Sequence, residues 1–459
     1  MEFLDKVFHL KENQTDVKTE IIAGVTTFMA IAYILAVNPN ILSNAGMDKG
    51  ALFTATALAA IVATVLMAVL SNYPFVLAPG MGLNAYFAFT VCGQMGYSWQ
   101  VALTAVLVEG IIFIILSVTN VREAIFNSIP MTLKYAVTAG IGLFIAFIGL
   151  QNAKIVVANG STLVSGFSFK AAISNGTMHS VGVGAVLALF GVLITGILIA
   201  KNVKGNILIG IIITWVLGII AELTGIYVPN ADAGMYSVIP DFSNGIAIPS
   251  IMPTLGKVSF SGVCSLDFVV VVFAFLFVDL FDTLGTLIGV ASKADMLDED
   301  GKLPKIKGAL MADAVGTAAG ALLGTSTTTT VVESAAGVAE GGRTGLTSIT
   351  AAILFGASLF LSPIFLAIPS FATAPALIVV GFLMISSILK IDFSDATEAL
   401  PAFLCILVMP LLYSISDGIA YGFISYVIIN LVTGKAKEKK IHPIMYILTV
   451  LFILKYAMI

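Results

Sequence analysis

Three acidic residues lie in or beside long apolar stretches, where a buried charge is costly. Asp279 and Asp282 stand three positions apart in the run LDFVVVVFAFLFVDLFDTLGTLIGVAS, so a helix would place both carboxylates on the same side. Glu333 follows the run TSTTTT of residues 325–330. Acids at membrane depth usually mark a functional site, because they must face a cavity, share a proton or pair with a cation. A polar seam between helices is the structural alternative, above all for Asp282.

The stretch around Glu333 does not have the pattern of an ordinary membrane helix. The hydroxylated run 325–330 is mostly β-branched and favours an extended backbone, whereas 333–340 favours a short helix. Irregular backbone at membrane depth is tolerated only where protein or a wet cavity satisfies its polar groups. A second broken stretch, APGMGLNAYFAF at 78–89, contains Asn84. We expect these two half-helices to frame one pocket, with Asn84 standing where Glu333 stands in the other half.

Composition predicts a membrane protein. Hydrophobic residues make up 59% of the 459-residue chain and charged residues only 10%, too few for the surface of a soluble protein. The 22 Lys and Arg residues are scattered rather than gathered in one stripe, so no nucleic-acid partner is expected. The cysteines lack metal spacing and the histidines lie outside the predicted spans, so we expect no metal, no cofactor and no enzymatic activity.

Apolar segments of spanning length predict an all-α polytopic membrane protein with about fourteen transmembrane segments. The long ones are residues 21–42, 51–71, 78–96, 99–119, 131–150, 181–200, 205–225, 266–291, 308–324, 325–342, 344–362 and 371–389. The runs 400–413 and 417–433 predict two short helices, and 441–458 could either span or lie in the interface. Lys and Arg fall mainly on one side of alternating segments, which predicts a cytoplasmic N-terminus. The expected location is the plasma (inner) membrane.

An odd number of spans in each half predicts two repeats of opposite orientation, with a site at their interface. The motif IFNSIP at 125–130 is echoed by IFLAIP at 364–369, each at the entrance to the fifth span of its half. We therefore divide the chain into a first repeat, 1–225, a connecting loop, 226–264, and a second repeat, 265–459.

Four motifs together carry a family resemblance. They are GVTTFMAIAYILAVNP (24–39), APGMGLNAYFAF (78–89), FVDLFDTLGTLIGVA (277–291) and GTSTTTTVVESAAGVAEGGRTGLT (324–347). Over nearly its whole length the chain resembles the nucleobase cation symporter family, in its purine permease branch. The resemblance implies two inverted repeats of seven segments, short strands in spans 3 and 10, and transport of adenine, guanine or hypoxanthine. It also implies a core domain (21–119 and 266–362) and a gate domain (122–225 and 363–433), followed by the apolar segment 441–458.

The resemblance also implies roles for individual residues. The family's acidic residue of the eighth span corresponds to Asp279, that of the tenth span to Glu333, and the asparagine of the third span to Asn84. A purine presents N–H donors, and a carboxylate can accept two of them at once. Glu333 and Asp279 are therefore the expected base-binding residues, while Asn84 could donate to or accept from the 6-position.

The remaining candidates are secondary. Thr330 and Thr27 could line the pocket, and Phe281 could stack on the ring, although an aromatic side chain in such a protein is more often packing. Glu109, inside the predicted fourth span, could belong to the site or to helix packing. Asp313, near the start of the ninth span, is expected to be an interfacial cap.

The expected mechanism is proton symport with alternating access. A neutral base gains no energy from the membrane potential, whereas each co-transported charge contributes about 2.3 kcal/mol per 100 mV. Asp279, Asp282 and Glu333 offer protonatable groups in a desolvated pocket. Sodium-coupled uptake is an alternative, because the threonine run could supply hydroxyls, and an anion transporter of the same architecture is another. The expected partners are a purine nucleobase, protons and the lipid bilayer, and a homodimer is left open.

Overall fold

The computed structural model describes most of the chain. The described residues are 2–119, 121–122, 128–230, 233–243, 245, 247–293, 296–298 and 303–458. Residues 123–127 lie outside the described residues. They include the first three residues of the motif at 125–130 and part of the start of the proposed gate domain. Within these ranges eleven helices are long and apolar enough to cross a membrane. The protein is therefore an all-α polytopic membrane protein, as its composition predicts.

We number the segments in chain order. They are segment 1, Val17–Ala45; 2, Lys49–Ser71; 3, 77–94; 4, Trp99–Val118; 5, Met131–Asn152; 6, Met178–Ala200; 7, Asn206–Leu223; 8, Leu266–Lys293; 9, Ile306–Leu323; 10, 328–339; 11, Gly345–Ala367; 12, Ser370–Lys390; 13, Ala396–Leu411; and 14, Ile415–Val432. Outside them lie the helices Glu2–Phe8, Phe169–Ser174 and Pro443–Met458 and a hairpin of Val156–Asn159 with Leu163–Gly166.

Several helices begin earlier than the hydropathy pattern predicts, because polar residues cap them. Segment 1 begins at Val17 since the Asp16 carboxylate accepts from the backbone N–H groups of the first turn. Asp395 caps segment 13 and Ser414 caps segment 14 in the same way. Segment 1 is also interrupted, with a turn at Tyr33 between its two helical parts.

Segments 3 and 10 are broken, as the sequence predicts. Strand Leu77–Pro79 precedes the helix Met81–Ala85, which continues as the π-helix Tyr86–Gln94. Strand Thr328–Thr330 precedes the short helix Ser334–Ala339. The β-branched threonines explain the extended stretch, because they lose side-chain freedom in a helix. The strand and half-helix expected for each segment are therefore present.

The two strands form an antiparallel pair with Leu77 opposite Thr330. The pair brings together parts of the chain from both halves and sets the starts of both half-helices close to one another. Asn84 and Glu333 do not hold equivalent places, however. Asn84 is inside the third segment's helix, whereas Glu333 immediately precedes the helix of segment 10.

The helices pack in two groups. In one group segment 9 packs on segments 2 and 4, and segment 11 packs on segments 1 and 2. In the other, segment 5 packs on segments 12 and 13, and segment 12 packs on segments 6 and 7. A Cβ at Gly142 would lie 2.8 Å from the carbonyl oxygen of Gly381, so the approach of segments 5 and 12 requires glycine. We call these sets the core group and the gate group, and propose that they correspond to the family's two domains.

The apolar run 441–458 forms the helix Pro443–Met458, which packs on segment 14. The Phe452 ring also lies 5.5 Å from the ring of Phe273 in segment 8, centroid to centroid. Its distance from the Phe423 ring of segment 14 is 5.9 Å. The helix therefore contacts segments 8 and 14, which fall in the proposed core domain and the proposed gate domain respectively.

Candidate functional site

A cavity lies where the broken segments meet the gate group. Its polar side chains come from segments 1, 8 and 10 and are Tyr33, Asp282, Thr329, Thr330 and Glu333. Segments 5 and 12 contribute the apolar side chains Ile141, Ile145, Val380 and Met384. The gate side of the wall is thus apolar, whereas the core side carries these polar groups among apolar side chains such as Ile34, Val278 and Val331. This combination suits a flat solute that has both ring faces and hydrogen-bonding edges.

Glu333 is placed on this wall by the strand that precedes it. The Tyr33 hydroxyl donates a hydrogen bond of 2.5 Å to Glu333 Oε1. Tyr33 itself is 1% exposed and lies at the turn that interrupts segment 1. Sequence reasoning missed this residue, although a tyrosine in the middle of an apolar span was the available signal. The hydrogen bond orients one carboxylate oxygen, Oε1.

Asp282 lies on the same wall beside the start of segment 3. A Cβ at Gly80 would lie 3.2 Å from Asp282 Oδ2 and 2.6 Å from a methyl carbon of Thr329. Glycine at this position therefore lets the strand pair and the carboxylate approach closely. Asp282 and Glu333 are both half-buried, so both carboxylates can meet a solute in the cavity.

Asp279 is placed differently from Asp282 and does not belong to the cavity wall. Its side chain is fully buried, and its Oδ2 lies 3.2 Å from Arg122 Nη2. The same nitrogen lies 2.6 Å from Asp313 Oδ2. The expectation that Asp313 is an interfacial cap is wrong, because its side chain is 0% exposed. We name Arg122, Asp279 and Asp313 the charge triad.

A single hydroxyl connects the charge triad to the cavity wall. Thr283 Oγ1 lies 2.9 Å from Asp279 Oδ1 and 2.7 Å from Asp313 Oδ1. It is also 2.7 Å from Thr329 Oγ1. A hydroxyl donates only one hydrogen, so Thr283 can donate to a carboxylate while it accepts from Thr329. The triad, which sequence reasoning did not foresee, is therefore one side chain away from the wall.

Asn84 and Thr27 both lie away from the cavity wall. Asn84 is 0% exposed, and the Ser326 hydroxyl donates to its Oδ1. The Thr27 hydroxyl donates to the carbonyl oxygen of Ala23 at 3.0 Å, within its own helix. Neither side chain lines the cavity.

Of the other two candidates, Thr330 lies on the cavity wall and Phe281 does not. Thr330 lines the cavity, and its hydroxyl has no hydrogen-bond partner among the described residues. Phe281 is 4% exposed and packs against the rings of Phe277 and Phe423. Glu109 is buried too, and its Oε2 accepts a 2.6 Å hydrogen bond from Thr327. The structure thus brings Thr330, but not Phe281, to the wall.

No group of three or more His, Cys, Asp or Glu side chains is placed to hold a metal ion in the described part of the chain.

Broken segments that meet at a cavity between two helix groups are the arrangement of a secondary transporter. The chain belongs to the Permease family, whose sequence profile matches residues 18–421. It is therefore a permease and not an enzyme. This finding confirms the resemblance that the four motifs indicated.

Two curated relatives cover almost the whole chain. The guanine/hypoxanthine permease PbuO of Bacillus subtilis is 47% identical over 98% of this chain and 99% of its own length. The adenine permease AdeP of Escherichia coli is 42% identical over 99% of this chain and 96% of its own length. Among solved structures, the transmembrane domain of the cyanobacterial bicarbonate transporter BicA superposes with a TM-score of 0.63. It is 17% identical and covers 88% of this chain and 96% of that chain, a likeness that shows the fold alone.

Proposed function

We propose that the protein imports purine nucleobases by proton symport with alternating access. The observation that carries the proposal is the placement of Glu333. Its carboxylate stands on the cavity wall at the start of the helix of segment 10, and the Tyr33 hydroxyl donates to Oε1 at 2.5 Å. The second oxygen, Oε2, is the acceptor that we assign to an N–H group of the base.

The rest of the wall supports a planar, neutral solute. Asp282 offers a second acceptor, and the Thr330 hydroxyl, unpartnered among the described residues, can donate to or accept from the ring edge. On the gate side the aliphatic side chains of segments 5 and 12 would cover the ring faces. Names of the relatives point to the same substrates, since they are permeases of guanine, hypoxanthine and adenine.

The base-binding role inferred for Asp279 from the resemblance passes to Asp282 in this proposal. Asp279 is fully buried against Arg122, so a solute in the cavity would not reach its carboxylate. Asp282 is half-buried and lines the cavity. The spacing of three residues explains how two acids of one helix come to have different partners, because their directions differ by about 60°.

Proton coupling is the finer part of the proposal. Among the described residues, no Lys, Arg or His lines the cavity, whereas its wall carries the carboxylates of Asp282 and Glu333. A buried carboxylate without a cation is costly, so uptake of a proton together with the base would lower that cost. The position of the cavity between core group and gate group supports alternating access by movement of one group against the other.

An anion transporter is the weaker alternative. The likeness to a bicarbonate transporter concerns the fold, whereas two carboxylates on the wall would repel an anion. Sodium coupling remains the alternative to protons, because threonine hydroxyls line the same wall. We further propose a cytoplasmic N-terminus, on the basis of the Lys and Arg distribution. A plasma-membrane location is proposed with it, since import of an external base takes place there. The homodimer stays a prediction.

The deciding experiment measures uptake of radiolabelled guanine, hypoxanthine and adenine by cells that lack their own purine permeases. We expect saturable uptake by the wild type and its loss in Glu333→Gln, which keeps the side-chain shape but removes the charge. Glu340→Gln is the matched control, because Glu340 lies beyond the helix of segment 10 and pairs with Lys204 at the surface. Equal uptake by the wild type, Glu333→Gln and Glu340→Gln would refute the role of Glu333, and no uptake by the wild type would refute the substrate class.

A further inference from the structure

Arg122 follows segment 4, in the connection that leads from the core group to segment 5 of the gate group. Despite this place in a connection, its side chain is 0% exposed. Its guanidinium carbon lies 3.8 Å from the ring centroid of Phe113, and Nη1 donates to the carbonyl oxygen of Leu310 at 3.3 Å. A connection between two groups is thus anchored deep in the core group by one side chain.

The charge triad is unbalanced. One guanidinium faces two carboxylates, so the triad carries a formal charge of about −1 when both Asp279 and Asp313 are ionised. The other charged groups that interact with it are the carboxylates of Glu109 and Asp282. The environment is therefore acidic, and Arg122 supplies the positive charge in direct contact with the pair. Removal of one partner of a buried ion pair is strongly destabilising, because the remaining charge is left uncompensated.

The triad is connected through Thr283 to the strand that precedes Glu333. Thr283, which contacts both carboxylates of the triad, lies 2.7 Å from Thr329 Oγ1. Thr329 is the central residue of strand Thr328–Thr330 and pairs with Ala78 across the sheet. A shift of Thr283 would therefore displace the strand, and Glu333 follows that strand by three residues. Arg122 can therefore influence the position of Glu333 without contacting the solute itself.

We propose that Arg122 is a positioning residue for transport, which holds Asp279 and Asp313 together, keeps Thr283 against Thr329, and so fixes the strand that precedes Glu333. The inference rests on the proposed function for its substrate. The contacts that define the triad do not depend on which solute is carried.

The test compares Arg122→Gln with the double variant Arg122→Gln/Asp313→Asn. The single variant leaves two buried carboxylates without a counter-charge, whereas the double variant restores the formal charge of the wild-type triad. We expect Arg122→Gln to raise the KM of purine uptake about tenfold or more near neutral pH. The loss should shrink at about pH 5.5, because a proton taken up by one carboxylate removes the excess charge. The double variant should recover a KM within about threefold of the wild type and its original pH profile.

Arg122→Lys is the conservative control, since it keeps the charge but not the forked geometry, and it should fall between the wild type and Arg122→Gln. Membrane levels of all variants are compared with that of the wild type. A wild-type KM and pH profile in Arg122→Gln would overturn the inference. So would equal losses in the single and double variants, because the charge of the triad would then not explain the effect of Arg122. Failure of both variants to accumulate in the membrane would also overturn it, because that result assigns Arg122 to folding alone.

A readout without substrate separates this inference from the proposed function. Purified Arg122→Gln should unfold at a lower temperature than the wild type, by a larger margin at about pH 7.5 than at about pH 5.5, and the double variant should lose this pH dependence. If the wild type takes up no purine, the proposed function fails. The unfolding comparison then still decides whether Arg122 balances the buried carboxylates.

Discussion

Tyr33 and Glu333 are 300 positions apart in the chain, and a hydrogen bond of 2.5 Å joins the tyrosine hydroxyl to the carboxylate. The bond connects the turn that interrupts segment 1 to the residue that precedes the helix of segment 10. Both side chains line the cavity. The contact fixes one carboxylate oxygen of Glu333 through a tyrosine that is itself only 1% exposed.

Removal of the Tyr33 hydroxyl should weaken substrate binding. Tyr33→Phe leaves the ring but takes away a hydrogen bond to a charged group, which contributes about 1.5–3 kcal/mol. We expect the KM of purine uptake to rise roughly tenfold or more at an unchanged membrane level. Tyr97→Phe is the matched control, because the Tyr97 hydroxyl contacts Ser265 at 3.3 Å, away from the cavity. Equal KM values in Tyr33→Phe and the wild type would remove the hydroxyl from the binding site.

Asp282 and Asp279 should respond differently to neutralisation. Asp282→Asn removes a carboxylate from the cavity wall, so purine affinity should fall and the dependence of uptake on external pH should flatten. Asp279→Asn leaves Arg122 paired with Asp313 at 2.6 Å, so the pH profile should keep its shape. Uptake kinetics between about pH 5.5 and about pH 8 would show this difference. The opposite pattern would return the coupling role to Asp279, and unchanged kinetics in Asp282→Asn would limit that residue to packing.

Purine uptake should carry protons inward. A neutral base brings no charge of its own, and the cavity wall holds two carboxylates that can be neutralised by protons. Addition of purine to cells or vesicles should therefore make the outer medium more alkaline, and a protonophore should collapse accumulation. The affinity measured on purified protein should change little with the protonophore. Accumulation that survives the protonophore but disappears without sodium would replace the proton with sodium and assign the threonine hydroxyls to an ion site.

Glu20 should stabilise the fold rather than the site. Its buried carboxylate accepts hydrogen bonds from the backbone N–H groups of Arg343 and Thr347 at 2.8 and 3.1 Å, and from the Thr347 hydroxyl at 2.6 Å. These groups lie at the start of segment 11. Glu20→Ala should lower the free energy of unfolding by about 1–3 kcal/mol, because the freed donors stay buried. Thermal unfolding of the purified variant, beside the surface control Glu12→Ala, measures the loss, and equal melting temperatures would contradict this role.

Asp395 gives a prediction on pH outside the membrane segments. Hydrogen bonds from the Thr397 hydroxyl and then from Lys439 hold the pKa of the Asp395 carboxyl well below its usual range. A depressed carboxylate pKa contributes stability above the unfolded-state value, which is lost as pH falls through the folded-state value. Asp395→Asn should therefore narrow the difference in melting temperature between about pH 7 and about pH 3. An unchanged difference would show that these contacts contribute nothing measurable.

The sequence by itself determined those features that depend on neighbours along the chain. The apolar segments, the extended threonine run before Glu333 and the glycine-broken segment 3 all follow from local composition and backbone preference. For the same reason the motifs were enough to indicate the family. Glu333 could be selected because a carboxylate at the start of a half-helix is visible in the sequence itself.

The tertiary structure alone decided which polar groups meet. Arg122 contacts residues that are 157 and 191 positions away, and Tyr33 contacts one 300 positions away, so no local sequence pattern predicts these pairs. Helical spacing placed Asp279 and Asp282 on one side of segment 8, but their directions differ by about 60°. Packing turns one carboxylate to the cavity and the other to a buried guanidinium, because the helices that surround segment 8 come from distant parts of the chain.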